Sequence, residues 1–441
     1  MTDQSNLTTS TSDSAGRALV VHPALKLAAS GKTRRTPESR LEEAVGLAKA
    51  IGLEVVHAEI ARIDRPTPAY FVGGGVVERL GELAKELRAE LLIFDCTLSP
   101  AQQRNLERAL DRKVIDRTGL ILEIFGERAR TKEGRLQVDL AALSYQRSRL
   151  VRSWTHLERQ RSGGAFMGGP GERQIELDRR MLDEKIQRLK RELEQVKRTR
   201  GLHRSARQKV PYSVVALVGY TNAGKSTLFN RLTQAQVMAA DMLFATLDPT
   251  MRQLKLPSGD TVILSDTVGF ITDLPVNLVA AFRATLEEVI SADVIVHVRD
   301  VSDPEHEAQK DSVDSILEDL GLSKHDSTCP IIEVFNKIDL LSQEEREQLQ
   351  EQVGRQDLAV AASALSGEGI EDLLLLVAEC LHRDHEILDL QLDRADGETL
   401  AWLYQHGHVL ERREDDGQTY LRVSLSPREK ARFEQLQLEG S

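Results

Sequence analysis

The sequence predicts an α/β protein that is divided into several domains around a helical hairpin. Two long stretches alternate short apolar runs with amphipathic helical patterns, which is typical of parallel sheets covered by helices. Between them, two highly charged segments carry apolar residues at seven-residue spacing, as the helices of a coiled coil do. The length of 441 residues also exceeds the roughly 250–300 at which one core stops growing, so two or three domains are expected.

Residues 1–16 are predicted to form a disordered tail, because they are rich in Ser, Thr, Asp and Asn. They contain no basic start and no apolar stretch, so they do not resemble a secretory signal. The longest apolar run, Leu373 to Ala378, is far shorter than the roughly 20 residues that span a bilayer. We therefore expect a cytoplasmic protein without stable membrane insertion, and peripheral association with a membrane stays open.

The composition limits the class of protein further. Hydrophobic residues make up 41% and charged residues 29%, an ordinary balance for a globular chain. The net charge of −11 argues against a protein that coats nucleic acid with its whole surface, although a local basic patch remains compatible with it. The three cysteines, Cys96, Cys329 and Cys380, lie far apart without a CxxC pair, so they predict reduced thiols.

Residues 17–135 are predicted to form an N-terminal α/β domain with a largely parallel sheet, because strand and helix patterns alternate along them. The predicted strands are Ala18–Val21, Glu54–His57, Leu91–Phe94 and Lys113–Ile115. The predicted helices are Leu41–Ala50, Val76–Leu87 and Ala101–Leu110.

Residues 136–209 are predicted to form an antiparallel coiled-coil helical hairpin, with about 30 residues in each arm. The residues at seven-residue spacing are Leu136, Leu143, Leu150 and Leu157 in the first arm, and Ile175, Leu182, Leu189 and Val196 in the second. The segment from Ser162 to Gly171 is so rich in glycine that no helix is expected to pass through it. Since such a hairpin can bury its own apolar stripe, we expect a monomer, although it could also recruit a second copy.

Residues 210–384 are predicted to form a second α/β domain that is doubly wound, and residues 385–441 a small α+β C-terminal domain. The predicted strands of the larger domain are Ser213–Val218, Thr261–Ser265, Val294–Val298, Ile331–Phe335 and Leu358–Ala361, with helices Leu278–Ile290 and Ala308–Leu320. The C-terminal strands are expected at Ile387–Leu392, Gly407–Arg412 and Tyr420–Leu425.

A complete phosphate-binding loop of the form GxxxxGK[ST] follows the first strand of this larger domain and enters a helix. Its residues are Gly219, Tyr220, Thr221, Asn222, Ala223, Gly224, Lys225 and Ser226, followed by Thr227. The glycines let backbone N–H groups curl around a β-phosphate, and the helix N-terminus adds positive potential. Lys225 is predicted to neutralise the β- and γ-phosphate oxygens, and Ser226 to ligate Mg²⁺.

A DxxG motif ends the next strong strand, forty-one residues after Lys225, and consists of Asp266, Thr267, Val268 and Gly269. An aspartate in this place can hold Mg²⁺ through water, and the N–H of Gly269 can meet the γ-phosphate. The motif is common in turns, so its weight comes from its position at a strand end after a phosphate loop.

An NKxD motif follows a later strand and points to guanine as the base. It consists of Asn336, Lys337, Ile338 and Asp339, and a third short segment, Ser363, Ala364 and Leu365, fits a loop that supports the guanine O6. A carboxylate accepts two hydrogen bonds from the guanine N1–H and N2 edge. Adenine lacks this donor pair and would leave a buried carboxylate unpaired, so the order of motifs predicts GTP as substrate.

The interval between the phosphate loop and the DxxG motif contains Phe244, Ala245, Thr246, Leu247 and Asp248. A threonine there usually closes on Mg²⁺ when a γ-phosphate is present, and both Thr246 and Thr250 are candidates. Many GTPases place a water-orienting glutamine directly after the DxxG glycine, but this chain has Phe270. Hydrolysis should therefore be slow alone and depend on a partner or another group. Asn222 is a candidate K⁺ ligand or a loop-stabilising amide.

Five further segments resemble those of the HflX family of ribosome-associated GTPases, over about residues 18–440. They are Asp95–Leu106, Val114–Thr118, Gly169–Gln174 with Asp178–Arg180, Phe244–Thr250 and Asp266–Ile271. The resemblance selects Thr246 as the Mg²⁺ threonine, and gives Lys225, Thr246 and Gly269 as the residues of catalysis. It implies a Ras-like GTPase domain between the hairpin and the C-terminal domain, and binding to the large ribosomal subunit to split stalled ribosomes.

One segment departs from the family pattern. Within Phe71–Val77 the family commonly has a lysine where this chain has Val76. A second nucleotide site in the N-terminal domain is therefore not expected, and a tight strand-to-helix turn explains the glycines. The same departure argues against an ATP-driven RNA-remodelling enzyme.

The charge pattern of the hairpin supports an RNA partner independently of the resemblance. Residues 179–209 contain 12 lysines and arginines against 4 acidic residues, in a chain of net charge −11. A concentrated basic patch suits the phosphates of rRNA, and nothing indicates DNA. A solvated face of a charged coiled coil, or a signalling scaffold with a protein partner, remains the alternative.

Overall fold

The computed structural model describes residues 16–26, 35–158, 170–207, 212–235, 243–244, 246–247, 250–272, 286, 288–322, 329–383, 385–393, 396–415, 418–425, 429–430, 432–434 and 436. The chain divides into two compact units. The first contains Met1–Gln195 with Asp241–Phe244 and Asp273–Phe282, and the second contains Val196–Ala240, Ala245–Thr272 and Arg283–Ser441.

A four-stranded parallel sheet in the order β2-β1-β3-β4 forms the centre of the first unit. Its strands are β1 (Arg17–Leu25), β2 (Glu54–Ile63), β3 (Leu91–Phe94) and β4 (Lys113–Asp116). Its helices are α1 (Pro37–Ala50), α2 (Gly74–Glu86), α3 (Pro100–Leu110) and α4 (Arg117–Arg128). The sequence determines where α3 begins, because Ser99 at the N-cap and Gln102 form a capping box and Pro100 occupies the first helical position.

The α4 helix was not among the sequence predictions. Seven of its twelve residues are buried. Its N-terminus is capped by the side chain of Asp116, which accepts a hydrogen bond from the N–H of Gly119 at 2.8 Å. Because the helix follows β4 without any loop, its apolar residues merge with the strand pattern. Periodicity alone does not separate the two.

Two long helices follow where the hairpin is predicted, α5 (Lys132–Glu158) and α6 (Pro170–Arg207). The expected apolar stripe is buried at Leu136 and Leu143 on α5, and at Leu189 on α6. Arg147 and Asp183 form an ion pair between the helices at 2.7 Å. The predicted loop ends earlier than expected, because Pro170 and Gly171 already belong to α6, where a proline is tolerated in the first turn. The remaining tip and the side chains of Leu150, Leu157 and Ile175 lie outside the described residues.

A six-stranded sheet in the order β10-β9-β8-β5-β7-β6 forms the centre of the second unit. Its strands are β5 (Val214–Gly219), β6 (Thr250–Lys255), β7 (Thr261–Asp266), β8 (Val294–Asp300), β9 (Ile331–Asn336) and β10 (Ala359–Ala361). All neighbours are parallel except the edge strand β6, which pairs antiparallel with β7. Its helices are α7 (Lys225–Thr233), α8 (His306–Asp319), α9 (Gln343–Val353) and α10 (Ile370–His382).

The C-terminal part of the second unit contains a separate antiparallel sheet in the order β11-β13-β12, with helix α11. These elements are β11 (Glu386–Asp393), α11 (Gly397–His406), β12 (His408–Asp415) and β13 (Gln418–Leu425). The predicted fold class, α/β with a small α+β C-terminal region, is confirmed. Most of the predicted helix Leu278–Ile290 lies outside the described residues. Among the helices that the structure describes, none combines the length and the apolarity that a bilayer crossing needs.

Candidate functional site

The phosphate loop connects the carboxyl end of β5 to the first residue of α7, as its motif predicts. Gly224 has φ of 92°, and a Cβ atom there would collide with the side-chain amide of Asn336, so only glycine fits. The helix begins at Lys225, which leaves the unpaired N–H groups of its first turn facing the loop. The loop therefore has the geometry of an anion site.

Lys225 lies inside this loop and is only 6% exposed. Its Nζ donates hydrogen bonds to the carbonyl oxygens of Gly219 at 3.1 Å and Tyr220 at 2.7 Å. Burial lowers the pKa of Lys225 to about 8, against the opposing attraction of Asp266. Phosphate oxygens could replace the two carbonyl contacts and would restore the ordinary pKa.

Three oxygen-bearing side chains converge beside Lys225, on Ser226, Thr246 and Asp266. The oxygen atoms of each of the three pairs lie 2.8 Å apart, and both hydroxyls donate to the same carboxylate oxygen, Oδ2 of Asp266. The other oxygen, Oδ1, is buried without a hydrogen-bond partner. Burial raises the pKa of Asp266, although Lys225 and the two hydroxyls oppose this shift.

This set of donors fits Mg²⁺. A hard cation takes oxygen ligands and often keeps several waters and substrate phosphates, so one carboxylate and two hydroxyls are sufficient from the protein. Within the described ranges there is no group of three or more His, Cys, Asp or Glu side chains that could hold a metal ion. Of the two candidate threonines, Thr246 joins the set, whereas Thr250 begins the edge strand β6.

The DxxG segment lies directly against the phosphate loop. A Cβ atom on Gly269 would come within 2.9 Å of Cα and Cγ2 of Thr221, and within 3.1 Å of Nζ of Lys225. The carbonyl oxygen of Phe270 accepts a hydrogen bond from the N–H of Thr221 at 2.8 Å. Phe270 is buried, with only 3% of the residue exposed. Tyr220 and Thr272 join their hydroxyls at 2.8 Å. The DxxG glycine is therefore in close contact with two residues of the loop.

The NKxD segment is joined to its neighbours by several hydrogen bonds. Asn336 donates to the carbonyl oxygen of Ala223 at 2.8 Å and accepts from the N–H of Ala364 at 2.9 Å. Asp339 accepts from the hydroxyl of Ser363 at 2.5 Å. The structure thus brings both predicted guanine segments to the side of the phosphate loop.

The other predicted site residues differ in their positions and in their burial. Asn222 has φ of 61° within the loop, Thr227 lies on α7, and Thr267 donates to the carbonyl oxygen of Leu217 at 2.6 Å. Val268, Leu247 and Ile338 are buried, and Leu365 is 72% exposed. Phe244 packs edge-on against Phe125 within the first compact unit, with ring centroids 4.8 Å apart. Ala245 and Asp248 lie outside the described residues.

Two residues of this region were missed by the sequence predictions. Asp300 ends β8 opposite Asn336 and forms an ion pair with Lys337 at 2.6 Å. Arg231 on α7 donates from Nε to the carbonyl oxygen of Ala364 at 2.7 Å. An acidic residue at the carboxyl end of a central strand is a usable signal for Asp300. Nothing local marks Arg231, because its partner lies 133 residues away.

Comparison with known proteins gives matches along most of the chain. Four family models match in succession: GTP-binding GTPase N-terminal over residues 38–126, GTP-binding GTPase Middle Region over 128–207, 50S ribosome-binding GTPase over 214–337, and HflX C-terminal domain over 348–438. A GTPase HflX of Magnetococcus marinus is 51% identical over 395 residues, which is 90% of either chain. A GTPase HflX of Escherichia coli K12 is 43% identical over 386 residues, covering 87% of this chain and 89% of that one.

Solved structures resemble the chain less closely. The crystal structure of SsGBP in complex with GDP is 23% identical, with a TM-score of 0.49 over 83% of this chain and 99% of that chain.

Proposed function

Because the chain belongs to the HflX family of GTPases, it binds and hydrolyses GTP, and we propose that it does so in association with the large ribosomal subunit. One observation carries the assignment of the nucleotide site. Ser226, Thr246 and Asp266 converge beside a buried lysine in a phosphate loop, and one oxygen of the aspartate has no protein partner. That arrangement suits a Mg²⁺–nucleotide complex.

Seven of the predicted residues have a chemical role in this proposal. Lys225 neutralises the β- and γ-phosphate oxygens, and Gly269 offers its N–H to the γ-phosphate. Ser226, Thr246 and, through water, Asp266 would hold Mg²⁺, which neutralises the charge that develops on the phosphates. Asp339 accepts hydrogen bonds from the guanine edge, while Asn222 contributes a ligand for K⁺ near the phosphates.

The ribosomal role is supported by charge as well as by family. The matched model over residues 214–337 is described as a 50S ribosome-binding GTPase. Among the α6 side chains that the structure describes, seven basic ones are exposed: Arg179, Arg180, Lys185, Arg188, Lys190, Arg191 and Arg198. Two of them, Arg180 and Arg188, are 77% and 76% exposed despite ion pairs with glutamates one turn later. Exposed cations at this density favour the phosphate backbone of rRNA.

The proposed cycle uses GTP as a switch. Bound GTP and Mg²⁺ order the segments around Thr246 and Asp266, and the ordered form associates with the large subunit. The N-terminal domain (17–135) and the hairpin (136–209) then contact rRNA and disturb the contacts between subunits, which splits stalled ribosomes. Hydrolysis is slow without the ribosome because Phe270 replaces the water-orienting glutamine, and it returns the switch to its starting state.

Sedimentation with purified large subunits tests this proposal. We expect the chain to co-sediment with a non-hydrolysable GTP analogue and to dissociate with GDP. Replacing Arg188 and Lys190 with glutamate should weaken this binding and lower its dependence on salt. Arg355→Glu is a matched control, because Arg355 is also an exposed cation paired with a glutamate one turn away, at 79% exposure. Failure to sediment with ribosomes in any nucleotide state would contradict the ribosomal role and favour a protein partner.

A further inference from the structure

Hydrolysis of GTP requires a group that orients the attacking water, and the residue in the usual position does not provide it. Phe270 has an apolar ring that makes no hydrogen bond to water, and only 3% of the residue is exposed. Its carbonyl oxygen is already used, because it accepts from the N–H of Thr221 at 2.8 Å. When the chain hydrolyses GTP without a partner, the orienting group must therefore come from another residue near the γ-phosphate position.

Hydroxyl groups are the most numerous candidates in the loop Gly219–Ser226 and in the segment 266–272. Nearly all of them already have partners: Ser226 bonds to Asp266 and Thr246, Thr267 to Leu217, and Tyr220 and Thr272 to each other. Thr221 differs, because its Oγ1 is buried without a hydrogen-bond partner while the residue is only 6% exposed. A buried hydroxyl without a partner costs free energy, so its presence in a functional loop calls for a ligand.

The position of Thr221 identifies that ligand. Its Cα and Cγ2 lie within 2.9 Å of where a Cβ of Gly269 would stand, and Nζ of Lys225 lies within 3.1 Å of the same point. Gly269 and Lys225 are the two residues proposed above to meet the γ-phosphate. The Cα and the methyl carbon of Thr221 are therefore beside both of them, and the hydroxyl is bonded to the same Cβ as that methyl group. The backbone N–H of Thr221 is taken by Phe270.

We propose that the hydroxyl of Thr221 positions the water that attacks the γ-phosphate, in place of the glutamine that this chain lacks. The inference rests on the proposed roles of Lys225 and Gly269, and it is independent of the ribosome. A threonine hydroxyl carries one donor and two lone pairs, so it can accept a hydrogen bond from water and donate one to a γ-phosphate oxygen.

In the proposed reaction Thr221 is not deprotonated. The water oxygen forms a bond to the γ-phosphorus, and the bond from that phosphorus to the β–γ bridging oxygen breaks. The electron pair of the broken bond leaves with GDP, and the water proton passes to the released phosphate. Thr221 holds the water in line and remains protonated, since an alkyl hydroxyl is too weak a base to accept the proton.

Two substitutions separate the hydroxyl from the shape of the side chain. Thr221→Val removes the hydroxyl and keeps the branched side chain, whereas Thr221→Ser keeps the hydroxyl and removes the methyl group. Ser265→Ala is a matched control, because the Ser265 hydroxyl is also buried without a partner but lies within β7. The full chain is used, with single-turnover GTP hydrolysis in K⁺ and Mg²⁺ buffer and no ribosomes. Affinity is measured in parallel with a fluorescent non-hydrolysable GTP analogue, and folding by thermal melting.

We expect Thr221→Val to slow hydrolysis about tenfold or more with unchanged affinity for the analogue, as loss of one aligned hydrogen bond in a transition state does. Thr221→Ser should retain more of the rate than Thr221→Val, because it keeps the hydroxyl, and Ser265→Ala should stay close to the unmodified protein. Three results would overturn the proposal: hydrolysis unaffected in Thr221→Val, equal loss in the valine and serine variants, or loss of analogue binding in Thr221→Val. Lys225→Ala shows what failure of the nucleotide site itself looks like, since this variant should lose analogue binding as well as hydrolysis. Thr221→Val should lose hydrolysis alone.

Discussion

Asn336 donates a hydrogen bond from Nδ2 to the carbonyl oxygen of Ala223 at 2.8 Å, which joins the NKxD segment to the phosphate loop. Its Oδ1 accepts from the N–H of Ala364 at 2.9 Å, so a third loop is attached to the same side chain. Only 1% of Asn336 is exposed. A single buried amide therefore connects the three loops that are proposed to hold the phosphates and the base.

Replacing Asn336 with alanine should loosen this connection. Two buried backbone groups, the Ala223 carbonyl and the Ala364 N–H, lose their side-chain partner at about 1–3 kcal/mol each. We expect a lower melting temperature and weaker binding of a fluorescent GDP. Asn105→Ala is the control, because Asn105 also donates to a carbonyl oxygen, at 3.0 Å, but on the exposed surface. Equal effects of the two variants would contradict the connecting role.

Asp339→Asn should change the preference for the base. The amide of asparagine cannot accept both guanine donors, whereas it can donate to the carbonyl at C2 of xanthine. We expect GTP binding to weaken by roughly two orders of magnitude or more, and XTP binding to improve. Competition between the two nucleotides for a fluorescent analogue measures this ratio. A variant that still prefers GTP would show that Asp339 does not read the base.

Asp266→Asn should abolish Mg²⁺ binding without lowering the stability of the nucleotide-free protein. Burial raises the pKa of Asp266, so its ionised form destabilises the folded protein at neutral pH in the absence of a cation. The asparagine can still accept from Ser226 and Thr246 and carries no charge. We expect the melting temperature without nucleotide to stay equal or rise, and the additional stabilisation by Mg²⁺ over GDP alone to disappear. Undiminished stabilisation by Mg²⁺ in the variant would exclude Asp266 from the metal site.

The buried Lys225 predicts a dependence of GTP affinity on pH. Its pKa is about 8 in the protein, below the ordinary 10.5, and nearby phosphates should raise it again. Between these values the complex carries a proton that the free protein lacks, so binding takes up a proton. Affinity should therefore fall as the pH rises above about 8, by up to roughly tenfold per unit. Calorimetry in buffers of different ionisation enthalpy detects the proton directly.

Lys225→Arg is the control for this titration, because a guanidinium stays charged throughout the range. Any remaining affinity of that variant should no longer change above pH 8. A pH dependence that persists in the arginine variant would have to come from another group.

Features that depend on local order along the chain were predictable from sequence. Asp266 and Asn336 are the last residues of β7 and β9, and Lys225 follows the loop that leaves β5. The carboxyl ends of parallel strands meet at one edge of a sheet. The heptad spacing likewise predicts the burial of Leu143 and Leu189.

Features that depend on tertiary partners were not predictable. The edge strand β6 is mostly exposed and carries charged residues, so it has no apolar run to mark it. The partner of Arg231 is 133 residues away along the chain. The hydroxyl of Thr221 could be singled out only after the partners of its neighbours were known.

The ribosomal role is tested most directly by the steady-state rate of GTP hydrolysis in K⁺ buffer, measured with and without purified large ribosomal subunits. We expect a slow rate for the chain alone, strong stimulation by the subunits, and loss of both rates in Lys225→Ala. A rate that large subunits leave unchanged would contradict the ribosomal role while leaving the GTPase itself intact.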